Sequence, residues 1–100
     1  MVAIQWTWDP TKELINRRRH RLSLADGIPV LDTDPLAISR PDPHVDGDRW
    51  QTVGIARGTA VLFVVHTEPV EREDGLVTGR IISVRRATRH ERQAYEDGTF

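Results

Sequence analysis

AVLFVVHTEPVEREDGLVTGRIISVRR, residues 60 to 86, is the stretch that decides the fold. Val61 to Val65 is apolar at every position, the pattern of a central strand covered on both faces. The spans 60–67 and 77–86 both read as strands, and the acidic, glycine-containing segment from Glu68 to Gly79 reads as an exposed hairpin loop. Upstream, 48–57 is a third strand that ends in Arg57-Gly58, a turn tight enough to make a hairpin with 60–67. Downstream, Thr88 followed three residues later by Glu91 forms the signature of a capping box, so a final helix begins there and carries Tyr95 on its later turns.

The N-terminal half is read outward from the same sheet. Val2, Ile4, Trp6 and Trp8 alternate with Ala3, Gln5 and Thr7, the period of a half-buried strand. Asp9 can cap free amides and Pro10 has the φ of a first helical residue, which predicts a helix over 10–20 with Leu14 and Ile15 turned inward. Ser23 can cap a second helix, shortened or kinked by Gly27 and Pro29. The proline- and aspartate-bearing segment from Asp32 to Gly47 is predicted to be loop around one short strand, Leu36 to Arg40. The expected architecture is α+β: a strand, two helices, a four-stranded meander in a small, mostly antiparallel sheet, and a C-terminal helix, all in one domain over 1–100.

Composition narrows the chemistry. The chain has no cysteine, which removes disulfides, thiolate nucleophiles and cysteine-bound zinc and fits a reducing compartment. No apolar run is long enough to span a bilayer, so no membrane contact and a cytoplasmic location are expected. The net charge is −1, too little for coating nucleic acid through bulk positive potential. Arginine is nonetheless concentrated: thirteen of the fourteen basic residues are arginine, and eight lie in 17–21 and 85–92. Its planar fork suits phosphate, so two dense groups point to focused anion sites; the competing reading is a pair of solvated helix faces.

His20, His44, His66 and His90 show no metal-ligand spacing, and there is no glycine-rich phosphate loop and no nucleophile elbow. What remains suits acid–base chemistry on a phosphodiester, because RNA carries its own nucleophile in the 2′-hydroxyl. The candidates are His44, Asp48 and Arg49 at the entry of one strand, His66 at the exit of the next, and Arg80, Arg85 and Arg86 along the last. Strict alternation along that strand sets Ser83 and Arg85 on one face and Arg80 and Arg86 on the other. Structural roles compete for each: His66 as a hydrogen-bonded residue, Asp48-Arg49 as a surface ion pair, Lys12 as a solubilising group, and Trp6, Trp8 and Trp50 as core aromatics.

The order of these pieces resembles one family, the BrnT toxins of bacterial type II toxin–antitoxin systems, which are RelE-like ribonucleases. The residues that carry the resemblance are Trp8-Asp9-Pro10, Lys12, Asn16, Arg19-His20, Ser23, Val30-Leu31-Asp32, Asp34-Pro35, Asp42, His44, Asp48-Arg49 through Gly54, VVHTE at 64–68 and RIISVRRATRHERQAYE at 80–96. The resemblance implies a RelE-like fold and an RNA-cleaving toxin that needs no metal or other cofactor. It implies a BrnA-like ribbon-helix-helix antitoxin as partner, two toxins and two antitoxins in the complex, and DNA contact only through that antitoxin. On this reading His44, Asp48, Arg49, Arg80 and Arg85 are catalytic, and Lys12, Arg19, His20 and Arg86 extend the RNA contact. Arg21 stands where the family has glycine, Arg19 where it has lysine and Asp48 where it has glutamate. The alternative is a catalytically degenerate module that only binds its antitoxin and contributes to operon autoregulation.

Overall fold

The computed structural model describes residues 3–43, 47–56 and 60–100. The elements run β1 (Ile4–Thr7), α1 (Pro10–His20), a 3-10 turn (Leu24–Gly27), α2 (Ile28–Thr33), β2 (Ile38–Pro41), β3 (Arg49–Ala56), β4 (Ala60–Thr67), β5 (Val70–Glu71), β6 (Val77–Arg86) and α3 (Arg89–Asp97). The protein is therefore α+β, as expected. His44 and the turn at Gly58 lie outside the described residues, as does Val2.

The local signals act where they stand. Asp9 accepts a hydrogen bond from the Thr11 amide at 2.8 Å, and Pro10 opens α1. Thr88 and Glu91 cap α3 reciprocally. Ser23 and Asp26 do the same for the 3-10 turn, which continues into the short α2. Gly27 sits at that junction because a Cβ there would lie 3.0 Å from Val84 Cγ2.

The six-stranded sheet is mixed, in the order β1-β6-β4-β3-β2 with β5 added beside β6. The four long-range antiparallel partners β2, β3, β4 and β6 form the predicted meander, and β1 closes the order by pairing parallel to β6, Trp6 opposite Gly79 and Thr7 opposite Arg80. The segment 68–79 is more than a loop: Val70 and Glu71 pair with Thr78 and Val77 as β5. One face of the sheet, here the inner face, packs under the 3-10 turn and α2 with Leu24, Val30, Leu62, Val64, Ile81 and Val84 as its core. Part of the outer face is covered by the C-terminal segment, where Phe100 meets Phe63 edge to face at 6.1 Å and Arg40 lies 4.0 Å over the Phe100 ring.

Two expectations are corrected. Leu14 and Ile15 do not turn inward: they are 65% and 49% exposed, and the buried residue of α1 is Asn16. The cause is the edge of β6 beyond the end of β1. There Asn16 Oδ1 accepts from the Val84 amide at 3.0 Å, and its Nδ2 donates to the carbonyls of Val84 and Leu22, each at 2.9 Å. Backbone groups that must be satisfied select a carboxamide over an aliphatic side chain.

The second correction concerns faces. Val65 is paired with Ser83 but His66 with Ile81, so Ile82 is an extra residue, a β-bulge. A bulge reverses the side-chain parity of the strand beyond it. Ile81 thereby joins Val84 in the inner core, and Arg80 falls on the outer face with Ser83 and Arg85 rather than with Arg86.

Candidate RNA-cleavage surface

Register places Arg49 and Thr67 opposite one another on the outer face, in the rows that carry Gln51, Val53, Val65 and Phe63. Arg80 joins them across the bulge, and its amide donates to Thr67 Oγ1 at 2.9 Å. Thr7, Asp48, Thr67, Glu68 and Arg80 line one open concavity of about 350 Å³, with Val70, Thr78 and Gly79 completing it. An arginine thus lines one concavity with two acidic residues and three threonines at the sheet's end. That donor set can grip a phosphate and move a proton beside it.

A smaller concavity of about 160 Å³ opens where α1 meets the free edge of β6. Lys12, Ile15, Asn16, Arg19, His20, Ile82 and Ser83 line it. Burial, reinforced by the positive charges of Arg19 and Arg85, lowers the pKa of His20 below its ordinary value of 6.5. A neutral imidazole beside arginine and lysine groups can both donate and accept hydrogen bonds along an RNA backbone.

The sequence-derived site residues divide as follows. Asp48 and Arg80 share the larger concavity, with Arg49 in the strand row beside it. Lys12, Arg19 and His20 share the smaller one. Arg86 is separated from both: it lines a groove on the inner face with Leu22, Ala25, Asp26, Ile28 and Leu62. His44 lies outside the described residues.

Arg85 is on the outer face, yet its guanidinium is already engaged. Its two terminal nitrogens donate to the two carboxylate oxygens of Glu91 at 2.8 and 2.9 Å, and the group lies 4.0 Å over the Phe63 ring. Burial works to raise the Glu91 pKa, but Arg85 and the Thr88 amide outweigh it and hold the carboxylate below its ordinary value. The pair anchors the first turn of α3 to β6. In this conformation the Nη1/Nη2 edge of Arg85 is taken by Glu91 and is not open to a phosphate.

His66 is on the inner face and 6% exposed, so it takes the structural role. Its Nε2 meets Thr52 Oγ1 at 2.6 Å, Thr52 Oγ1 meets Ser39 Oγ at 2.6 Å, and Nδ1 meets the Thr67 carbonyl at 2.9 Å. The Trp6 ring packs edge-on to the imidazole at 5.6 Å. Burial lowers the His66 pKa against the opposing pull of the Thr67 carbonyl.

Four polar residues of the larger concavity were missing from the sequence-derived site: Thr7, Thr78 and the adjacent pair Thr67 and Glu68. That pair stands in the VVHTE stretch, whose value as a signal lay in its position at the exit of the central strand, where side chains leave the core for solvent. Gly54 finds its reason in packing: a Cβ there would come within 2.9 Å of both Asp34 Oδ2 and Val30 Cγ1. Among the described residues no group of three or more histidine and acidic side chains is spaced to hold a metal ion. No helix among them is long and apolar enough to cross a membrane.

Comparison with known proteins bears on the fold and the family. The structure is similar to the crystal structure of the Brucella abortus ribonuclease toxin BrnT, with a TM-score of 0.67 and 22% sequence identity over 87% of this chain and 100% of that one. Among curated proteins, no sequence matches the chain. Residues 8–91 match the family model described as the ribonuclease toxin, BrnT, of type II toxin–antitoxin systems. With the model spanning most of the chain, from Trp8 through Glu91, the protein belongs to the BrnT family of ribonuclease toxins.

Proposed function

We propose that this BrnT-family toxin is an endoribonuclease that cuts RNA by acid–base chemistry without a metal, using the outer face around Arg80. The support is one observation: Arg80 lines the same concavity as Asp48, Thr67 and Glu68, with Arg49 on the adjoining strand row. In the reaction the 2′-hydroxyl loses its proton to a base and attacks the adjacent phosphorus. An acid then protonates the departing 5′-oxygen, leaving a cyclic phosphate and a 5′-hydroxyl. Arg80 and Arg49 stabilise the charge that grows on the phosphoryl oxygens, and Asp48 and His44 share the proton transfers. Lys12, Arg19 and His20 carry the flanking RNA. Arg85, held by Glu91, acts by fixing α3 rather than by touching substrate.

The partner in this reading is a BrnA-like ribbon-helix-helix antitoxin in a complex of two toxins and two antitoxins, with DNA reached only through the antitoxin, in the cytoplasm. The chain acts as a single domain.

The deciding experiment is Arg80→Ala in purified protein incubated with RNA. Loss of one preorganised charge donor costs about a hundredfold or more in rate. Cleavage should fall by that factor with an unchanged thermal melt; cleavage at the wild-type rate overturns the assignment. One observation favours a second reading, a toxin that only binds its partner: the guanidinium of Arg85 is committed to Glu91. Wild-type protein that binds RNA in a salt-sensitive manner without cutting it supports that reading instead.

A further inference from the structure

The anomaly that the ribonuclease reading leaves unused is the polarity of α1. Its buried residue is an asparagine, and its two aliphatic residues point away from the core, Leu14 at 65% exposure and Ile15 at 49%. Side chains four apart on a helix lie one above the other. Leu14 is therefore stacked with Arg18, and Ile15 with Arg19, giving two parallel rows that each join an aliphatic group to a guanidinium. Among the described residues the ion pair formed on α1 is that of Arg17 with Glu13, and Arg18 and Arg19 form none.

We propose that the outward face of α1, centred on Leu14 and Arg18, is the seat of the antitoxin. The occupant is a segment of that protein whose aliphatic side chains cover Leu14 and Ile15 and whose carboxylates meet Arg18 and Arg19. This rests on the antitoxin partner that membership of a type II toxin family implies. Charge and polarity together select a protein over RNA. A phosphate backbone would engage the arginines but leave the aliphatic row in water. An amphipathic acidic segment satisfies both, in the arrangement typical of interfaces, with an apolar centre and arginine enriched around it. Continuity supplies the functional consequence. Ile15 and Arg19 also line the 160 Å³ concavity with Lys12, His20 and Ser83, so an occupant of α1 overhangs the proposed RNA path. Neutralisation then follows from obstruction, with the groups around Arg80 untouched.

The test uses Leu14→Glu and Arg18→Glu, neither placed in the cleavage machinery, against the antitoxin encoded beside the toxin. Leu14 is largely exposed and glutamate is a good helix former, so the variant should melt as wild type does; Arg18→Glu serves as the independent check. The expected result is RNA cleavage within twofold or so of wild type and antitoxin affinity weakened by about thirtyfold or more, the loss on removing one central interface residue. Co-expressed antitoxin should then fail to restore growth. Wild-type affinity for the antitoxin in both variants overturns the proposal. So does weakened RNA binding with neutralisation intact, which makes α1 an RNA surface, or a change from dimer to monomer in the free toxin, which makes it a self-association surface. Affinity is measured by titration, so a wild-type protein that cuts no RNA defeats the ribonuclease reading while this one is still decided.

Discussion

The Asn16 carboxamide pairs with both backbone groups of Val84, its Oδ1 accepting from the amide at 3.0 Å and its Nδ2 donating to the carbonyl at 2.9 Å. This side chain substitutes for a neighbouring strand along the part of β6 that β1 does not reach. It also explains why α1 can keep its aliphatic residues in solvent and stay docked.

Replacing Asn16 with leucine should therefore destabilise the fold although it adds apolar surface. The change leaves the Val84 amide and carbonyl without partners, at about 1–3 kcal/mol for each buried group. Denaturant melts should show a loss of roughly 2–5 kcal/mol. A variant as stable as wild type would mean that α1 is held by packing instead.

Arg21 ends α1 in the left-handed region, at φ 59°, with its amide bonded to the Arg17 carbonyl. Glycine adopts that conformation without the Cβ clash. Arg21→Gly should raise stability by about 1 kcal/mol, read as a higher melting temperature. A lower melting temperature would show that the arginine side chain contributes a contact that outweighs its backbone strain.

Glu91 caps α3, receives the Arg85 guanidinium in a bidentate pair and accepts from the Thr88 amide. Arg85→Ala should accordingly lower the melting temperature while RNA cleavage, assayed well below it, stays within a few-fold of wild type. A hundredfold loss of cleavage in a folded Arg85→Ala protein would assign Arg85 to the reacting phosphate after all.

Stability should fall on mild acidification. The folded-state pKa of His66 is lowered below its ordinary 6.5, so between those two values the unfolded chain binds more protons than the folded one. Its contribution is fully present above 6.5 and is lost as the pH falls below 6.5 through the folded value. His20 is lowered in the same sense and acts in the same window. The carboxylates of Glu13, Asp34 and Glu91 are also held below their ordinary values, and theirs is lost at lower pH, beginning near 4.5. In Glu13 the Leu24 amide is the leading cause, whereas in Asp34 the amides of Ile55 and Leu36 and the Tyr95 hydroxyl overcome burial. Melting temperatures from pH 8 to 5 should decline, and His66→Asn should flatten part of that slope. An unaltered slope in the variant would exclude His66 as a source.

What the amino-acid order alone determined is the set of features that close within about four residues. Asp9-Pro10 opens α1, Thr88 with Glu91 caps α3, and the apolar run from Val61 to Val65 marks the central strand, because each is read by groups adjacent in the chain. The larger concavity was legible to the extent that Asp48 and Arg49 are charged residues at the entry of β3 and Arg80 is one along β6. Tertiary structure decided the rest. Asn16 is the inward residue of α1 because Val84, 68 positions away, has backbone groups to satisfy. One extra residue at Ile82 carries Arg80 to the face of Arg85, and no alternation rule can be followed through a bulge whose position depends on the partner strand. Glu91 pairs with Arg85 because the start of α3 folds back beside β6, a contact that the charge of the guanidinium alone does not reveal.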